Sequence, residues 1–269
     1  MDLHTVQHYL RPDQFSEIQK WPQGYAYLAG GTWLFSQPQP QVHTLVDLEG
    51  LGWSGIEVTQ ALEIGATCSL QTLLCHPWPR EWSALYGLQQ AIASLASFKV
   101  THLATVGGNL CLALPFGIVA PGMLVLEAAY ELADLNGIQR LISARSFQTG
   151  PLQTQLQPGE VLRRIHIPLA SLEWESRFDR IGVTASDPAL AMLVTACAPD
   201  RTRWRFGLNA GVSLPLLLQY DHQPDPEAML ADLERITDWV EDYRASARYR
   251  RHLTWIMMQR ATQSLASLR

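Results

Sequence analysis

The chain has 269 residues, of which 47% are hydrophobic and 17% are charged, and this composition is typical of a globular protein of one to three small domains. Its formal net charge of −5 argues against a general role in nucleic-acid binding, which needs a basic surface. The four cysteines form no C-x-x-C pair and lie in apolar surroundings, so we expect neither a disulfide framework nor a metal or iron–sulfur site.

No segment of the sequence is predicted to cross a membrane. Residues 110–126 are uncharged and mostly apolar, but prolines and glycines interrupt them, and they are fewer than the roughly 20 residues that a helical span requires. We therefore predict a buried loop followed by a buried element. Residues 1–4 show neither the basic nor the apolar region of a signal peptide, so we expect a cytoplasmic protein.

For the first part of the chain, the sequence predicts short strands and three helical segments. In chain order these are a helix start at residues 13–18, strands at residues 25–28, 44–48 and 62–66, and a helix that Thr67 or Ser69 caps. A longer helix is predicted at residues 84–98, because apolar residues recur there at helical spacing.

A two-stranded hairpin and one further strand are predicted next. Strands at residues 125–134 and 138–142 flank Asn136 and Gly137, a pair typical of a type I′ turn. Residues 161–167 form another strand, which Pro168 ends.

A separate small sheet and two helices are predicted after Pro168. The strands are at residues 177–182, 189–196 and 204–211, the first helix starts at Asp225 and Pro226, and the second occupies residues 238–268. The second helix carries five arginines, for which a solvated face or a subunit contact is the expected role: Arg244, Arg248, Arg250, Arg251 and Arg260.

Two glycine pairs are the most informative feature of the sequence. Gly30 and Gly31 follow a predicted strand, and Gly107 and Gly108 lie about 75 residues further along. Since glycine has no Cβ, backbone N–H groups in such loops can approach a pyrophosphate closely. Thr32, Thr105 and Asn109 can add side-chain hydrogen bonds. Neither pair belongs to a G-x-G-x-x-G or G-x-x-x-x-G-K motif, so a nucleotide would be bound by another fold.

The two pairs belong to a series of five motifs along the chain. These are AGGT at residues 29–32, ATVGGN at 104–109, MLVLEA at 123–128, LQPGEVLRRIHIP at 156–168 and ASARYRRHL at 245–253. In this order they resemble the motifs of the FAD-binding medium subunit of the molybdenum hydroxylases, the xanthine dehydrogenase and carbon monoxide dehydrogenase family.

The resemblance implies an α+β protein with the vanillyl-alcohol-oxidase-like (PCMH-type) FAD-binding fold. An FAD-binding domain at residues 1–169 would consist of two α+β subdomains, at about residues 1–55 and 56–169. A C-terminal domain of antiparallel sheet and helices would follow at residues 170–269.

Carried over position by position, the resemblance assigns fifteen residues to FAD. They are Tyr27, Leu28, Ala29, Gly30, Gly31, Thr32 and Trp33 in the first loop, Ala104, Thr105, Val106, Gly107, Gly108 and Asn109 in the second loop, and Leu162 and Arg180 beyond them. Leu162 corresponds to an apolar residue near the flavin, and Arg180 to a lysine close to its isoalloxazine ring. No catalytic and no metal-binding residue is assigned, because the chemistry belongs to the cofactor.

The implied function is electron transfer within an oxidoreductase complex. Electrons from a large molybdopterin-binding subunit would pass through a small [2Fe-2S] subunit to FAD, and from FAD to NAD or another acceptor. The substrate and the final acceptor are not revealed by this chain, because the substrate would be held by another subunit.

Four positions depart from the family pattern, one of them Glu127 in place of an aspartate, and these departures leave two alternatives open. Gly117 and Ile118 stand where many relatives have a Ser-Asp pair, and Trp33 replaces an acidic residue. A flavin-less structural subunit of the same complex is one alternative. A stand-alone FAD oxidoreductase is the other, although no substrate domain or catalytic base is visible.

Overall fold

A computed structural model describes residues 3–95 and 97–267. Strands and helices mix throughout this part of the chain, as expected for the α+β class. The strands are β1 (His8–Leu10), β2 (Tyr25–Leu28), β3 (Thr44–Asp47), β4 (Ile56–Val58), β5 (Ala61–Gly65), β6 (Ala129–Ala133), β7 (Gln139–Ser143), β8 (Gln148–Gly150), β9 (Gln153–Thr154), β10 (Val161–Pro168), β11 (Glu175–Ile181), β12 (Ala191–Cys197), β13 (Trp204–Asn209) and β14 (Leu216–Tyr220). The helices are α1 (Leu70–Cys75), α2 (Ala84–Ala93), α3 (Phe98–Leu103), α4 (Val106–Leu112), α5 (Ala120–Val125), α6 (Ala144–Phe147), α7 (Leu169–Leu172), α8 (Pro226–Arg235) and α9 (Ala247–Ser267).

The strands form three larger sheets and one short two-stranded ribbon of β8 and β9. The N-terminal sheet is parallel with the order β1-β3-β2. The second sheet is antiparallel with the order β4-β5-β10-β6-β7. The third is an antiparallel meander, β11-β12-β13-β14. Long connections therefore separate strands that pair in the second sheet, and these connections carry the helices around the candidate site.

The third sheet packs on both of its faces. On β12, Met192 and Val194 belong to the core that also contains the second sheet and α2. Leu193 and Cys197 point the other way, into a core shared with α9. Side chains alternate between the faces of a strand, so β12 is buried throughout. The parts of the chain before and after residue 170 pack directly on each other, and the domain boundaries themselves stay a prediction.

Several predicted elements are confirmed, and the predicted helix-capping residues cap their helices. The strand at residues 25–28 is β2. Ser69 caps α1, because its side chain accepts a hydrogen bond from the Thr72 N–H. Asp225 caps α8 in the same way, with Pro226 at the first helical position. The three strands predicted after Pro168 are β11, β12 and β13, with small shifts at their ends.

Two helix predictions were wrong in extent. The helix predicted at residues 84–98 ends at Ala93, and α3 begins separately at Phe98, because the Ser97 side chain caps it; residue 96 lies outside the described residues. The helix predicted at residues 238–268 begins only at Ala247, after a turn in which Asp242 pairs with Ala245, and Leu268 lies outside the described residues.

The first helix start and one strand boundary were also predicted wrongly, and five of the described strands were missed. Residues 13–18 form only a 3₁₀ turn, and the sequence did not predict β1, β4, β8, β9 or β14. The strand predicted from residue 125 begins at Ala129, because Val125 ends α5 and Glu127 has a φ of +54°.

The turn after β6 is not of type I′. That turn needs positive φ at both central residues, and here only Gly137 has it, with φ +79°. The Asp134 carboxylate instead accepts hydrogen bonds from the N–H groups of Asn136 and Ile138, at 2.9 and 2.8 Å. These bonds favour a three-residue loop with glycine at its end.

The C-terminal helix is fixed by a buried arginine. Arg250 is 0% exposed, so it does not lie on the solvated face expected for the arginine cluster. Its guanidinium donates to the carbonyls of Leu190 and Ala210 and to the Asp242 carboxylate, at 2.8, 3.3 and 2.7 Å. Burial alone raises the pKa of the Asp242 carboxyl, but hydrogen bonds from Arg244 and Arg250 and from two backbone N–H groups together hold that pKa well below its usual range.

Among the described residues, no helix is long and apolar enough to pass through a lipid bilayer. Residues 110–126 form the end of α4, a loop and the buried helix α5.

Arg250→Ala is expected to lower the free energy of unfolding by about 2–5 kcal/mol, because it leaves two buried carbonyls without the guanidinium donor and removes one of several donors to Asp242. Arg260→Ala serves as the control, since Arg260 is exposed on the same helix and its loss should change stability by about 0.5 kcal/mol or less. Urea unfolding of both variants measures the difference. Equal losses in the two variants would contradict the role given to Arg250.

Candidate functional site

The two glycine loops meet at one open-sided cleft of about 490 Å³. The first loop leaves β2. The second loop was predicted wrongly in part, because residues 106–109 form the first turn of α4, which Thr105 caps. Residues 114–118 form one wall of the cleft, and residues 156–162, at the start of β10, form another. Segments far apart in sequence therefore build a single site, of a size usual for ligand pockets.

The first loop touches the second directly. A Cβ on Gly30 would lie 1.6 Å from the Leu103 carbonyl oxygen, so only glycine allows this approach. Gly31 has a φ of +67°, which turns the chain away from the strand. The glycine pair is therefore required by both a close contact and a left-handed turn.

The first loop also carries free backbone donors. Among the described residues, none accepts a hydrogen bond from the N–H groups of five consecutive residues: Gly30, Gly31, Thr32, Trp33 and Leu34. The Thr32 hydroxyl likewise has no protein partner in the described chain. A run of unpaired N–H groups at the edge of a cleft is a concave donor surface for an anion.

The second loop has a different role. Most of its N–H groups are already bound within the protein: Val106 to the Cys68 carbonyl at 2.9 Å, and Gly107 to the Ala66 carbonyl at 2.8 Å. The Gly108 N–H donates to Thr105 Oγ1 at 3.0 Å. The second loop is thus a fixed wall, and the expectation that both loops offer backbone donors holds only for the first.

Thirteen of the fifteen predicted site residues line the cleft. They are Tyr27, Leu28, Ala29, Gly30, Gly31, Thr32, Trp33, Ala104, Thr105, Gly107, Gly108, Asn109 and Leu162. Val106 points into the hydrophobic core instead. Arg180 lies on β11, is not among the lining residues described, and its guanidinium donates to the Asp187 carbonyl. What each residue binds stays a prediction.

Further lining residues were not predicted from the sequence. They are Leu34, Leu48, Ala66, Thr67, Leu95, Val100, Cys111, Leu112, Leu114, Phe116, Leu156, Glu160 and Val161. Leu156, Glu160 and Val161 belong to the motif at residues 156–168. Their nearness in sequence to Leu162 could have predicted that they line the same cleft. Leu95 and Val100 lie outside every motif, so only the folded arrangement reveals them.

The cleft is mostly apolar, and no lysine or arginine is among the lining residues described. Its one lining carboxylate, Glu160, is bound by Arg140 at 2.7 Å, and this hydrogen bond lowers the pKa of Glu160. Asn109 Oδ1 accepts from the Val119 N–H at 3.3 Å, which leaves the Asn109 amide N–H groups for a ligand. Polar recognition here thus depends on neutral donors.

Tyr27 closes the first loop without serving as an acid or a base. Its hydroxyl donates to the Gly159 carbonyl at 2.8 Å, and its ring stacks on Trp21 with centroids 4.0 Å apart. Burial raises the pKa of Tyr27 well above its usual range, so the phenol stays protonated. Among the described residues, no group of His, Cys, Asp and Glu side chains is arranged to hold a metal ion.

The chain resembles known proteins over most of its length. The sequence profile of a family described as the FAD binding domain in molybdopterin dehydrogenase matches residues 4–170. The carbon monoxide dehydrogenase medium chain of Afipia carboxidovorans is 27% identical over 230 residues, which are 81% of this chain and 77% of that one. Aldehyde oxidase 2 of Cavia porcellus is 32% identical over 129 residues, which are 45% of this chain but only 10% of that much longer relative.

A solved structure shares the architecture. The crystal structure of the Cu,Mo-CO dehydrogenase in its cyanide-inactivated form contains a chain that superposes with a TM-score of 0.83 at 25% identity. The superposition covers 96% of this chain and 97% of that one. The likeness therefore extends beyond residue 170 to the third sheet and its helices.

We expect Cys111, in the cleft wall, to react with iodoacetamide far more slowly than the exposed Cys75. Burial raises the pKa of the Cys111 thiol to about 12, and a hydrogen bond from the Leu162 backbone offsets this only in part. At pH 8 about one Cys111 thiol in ten thousand is then the reactive thiolate. Peptide mass spectrometry over a time course checks the order, and equal rates at the two sites would show that this wall is open to water.

Proposed function

Because the chain belongs to the family of FAD-binding domains of molybdopterin dehydrogenases, we propose that it carries FAD in the cleft and transfers electrons through it within an oxidoreductase complex. FAD itself supplies the electron-transfer chemistry when bound, and the protein supplies binding, orientation and electrostatics.

The observation that carries the proposal is the pairing of free backbone donors with an apolar cleft. FAD joins a negatively charged pyrophosphate to a large planar ring. The unpaired N–H groups of residues 30–34 suit the pyrophosphate, because their dipoles attract an anion without a buried cation. Apolar walls that include Phe116, Ile118 and Leu162 suit the ring. The residues present thus fit the cofactor in both charge and shape.

Individual roles follow from this placement. The Thr32 hydroxyl and the Asn109 amide, which both line the cleft, would donate to phosphate oxygens. Gly108 lines the cleft without a side chain, and a Cβ there would also lie 2.8 Å from Thr105 Oγ1, which caps α4. Arg180 would add a positive charge to stabilise a reduced anionic flavin only after its side chain leaves the Asp187 carbonyl.

The departures from the family pattern are compatible with flavin binding. Gly117 and Ile118 line the cleft without supplying a carboxylate. Trp33 adds an aromatic surface beside the first loop where relatives have an acid. Removing two carboxylates from a site for an anionic cofactor lowers electrostatic repulsion, so the loss of specific contacts is offset in part.

The assembly and the electron path are proposed on the same basis. The related medium chain is by its name one chain of carbon monoxide dehydrogenase. We accordingly propose a large molybdopterin-binding partner and a small [2Fe-2S] partner for this protein, with NAD or another acceptor taking electrons from FAD. A cytoplasmic location and the PCMH-type detail of the fold belong to the same proposal.

The visible absorption spectrum of the purified chain, with the released chromophore identified after denaturation, tests this function. We expect a two-band flavin spectrum and released FAD. Gly108→Asp should abolish both, because its carboxylate would occupy the space in the cleft and repel the phosphates.

Gly55→Asp is the matched control for that experiment, since Gly55 is exposed and does not line the cleft. It should keep the flavin. A colourless wild-type chain that FAD cannot reconstitute would contradict the proposal and favour a structural subunit. A chain that alone oxidises a substrate at full rate would favour a stand-alone oxidoreductase.

A further inference from the structure

One wall of the cleft is held from outside the matched family region. Residues 114–118 include four lining residues and lie between α4 and α5. Two hydrogen bonds tie this segment to the end of β13. Asn209 Nδ2 donates to the Gly117 carbonyl at 2.8 Å, and the Ala210 N–H donates to the Pro115 carbonyl at 2.9 Å.

Asn209 is placed for this contact at an energetic cost. It is 1% exposed, and its Oδ1 has no hydrogen-bond partner among the described residues. A buried amide oxygen without a donor destabilises a fold by about 1–3 kcal/mol. An apolar residue at this buried position would avoid that cost. What the asparagine adds instead is the hydrogen bond from its Nδ2 to the Gly117 carbonyl.

The neighbouring residue is also held in an uncommon conformation. Ala210 has a φ of +65°, a region that residues with a Cβ seldom adopt. Its carbonyl accepts from the buried Arg250 guanidinium, while its N–H faces Pro115. The C-terminal helix α9 is thus linked through Arg250 and Ala210 to the wall of the cleft.

The same wall is held on its other side by the second glycine loop. Asn109 Oδ1 accepts from the Val119 N–H at 3.3 Å, and the segment closes on itself through a bond from the Gly117 N–H to the Leu114 carbonyl. Residues 114–119 are therefore fixed between two asparagines, one in the cofactor region and one in the third sheet.

We propose that Asn209 is a positioning residue for the flavin site, which acts by fixing the Gly117 carbonyl and with it the wall at residues 115–118. This inference rests on the proposed function, since the cleft is the site proposed for FAD. It makes the third sheet part of the flavin-binding machinery, although no residue of that sheet is among the lining residues described.

Two substitutions separate positioning from folding. Asn209→Asp keeps the shape of the side chain but replaces the N–H donor with an oxygen that repels the Gly117 carbonyl. Asn209→Leu also removes the donor, and it removes the unpaired Oδ1 as well, so it limits the loss of stability. Thr195→Val is the matched control, because Thr195 is fully buried in the same sheet with an unpartnered hydroxyl and makes no bond to residues 114–119.

The test measures FAD affinity by flavin fluorescence and amide hydrogen exchange by mass spectrometry on the full chain. We expect both Asn209 variants to bind FAD about tenfold more weakly, the effect of one lost hydrogen bond. Exchange at residues 116–119 should rise in both, and Thr195→Val should change neither quantity.

Asn209 variants that keep wild-type affinity and exchange would overturn the inference, and so would an equal effect of Thr195→Val. The proposed function fails separately, when the wild-type chain binds no FAD at all. If FAD binds the wild-type chain and the Asn209 variants equally well, the proposed function stands and only the role of Asn209 is contradicted.

Discussion

The site depends on the contact between Gly30 and the Leu103 carbonyl. The backbones approach so closely there that a single added carbon would lie 1.6 Å from the oxygen. This contact seats the loop after β2 against the segment that enters α4, and the cleft exists because the two are in register. Any side chain at residue 30 would force the loops apart, since backbone atoms on both sides cannot yield as a flexible side chain can.

The recognition proposed for this cleft relies on backbone dipoles, whereas the buried arginines hold the fold together. Arg250 connects α9 to the ends of β12 and β13. Arg205 lies 3.7 Å from the centre of the Trp174 ring, donates to the Val125 carbonyl and pairs with Glu127 at 2.6 Å, which fixes the end of α5 against the third sheet. A neutral donor surface keeps its geometry without a mobile cation, and salt screens it less than exposed charges. The C-terminal part of the chain thus supports the cleft without lining it.

Local signals in the sequence predicted what depends on local physics. The β2 strand and the Asp225 cap each have a cause within a few residues, and both are found where expected. The two glycine pairs line one cleft, but the second pair lies in α4 and not in a loop. The turn after β6 was predicted wrongly because the Asp134 carboxylate outweighs the preference of Asn136 and Gly137 for a type I′ turn.

Properties of the site that depend on distant segments were not predictable in this way. The first loop, with free donors, and the second loop, with bound donors, have similar glycine-pair sequences. They differ because Ala66 and Cys68, on the connection after β5, supply acceptors to Val106 and Gly107 alone. The contribution of Leu95 to the cleft depends likewise on where α2 ends, which Ser97 decides by capping α3.

The central claim is that backbone donors of the first loop hold a pyrophosphate. Titration of the apoprotein with FAD and with riboflavin, which has the same ring and no phosphate, tests it most directly. The account predicts that FAD binds at least about a hundredfold more tightly, as several charge-assisted hydrogen bonds require, and that its affinity changes little with added salt. Equal affinity for the two ligands would contradict the role given to the first loop.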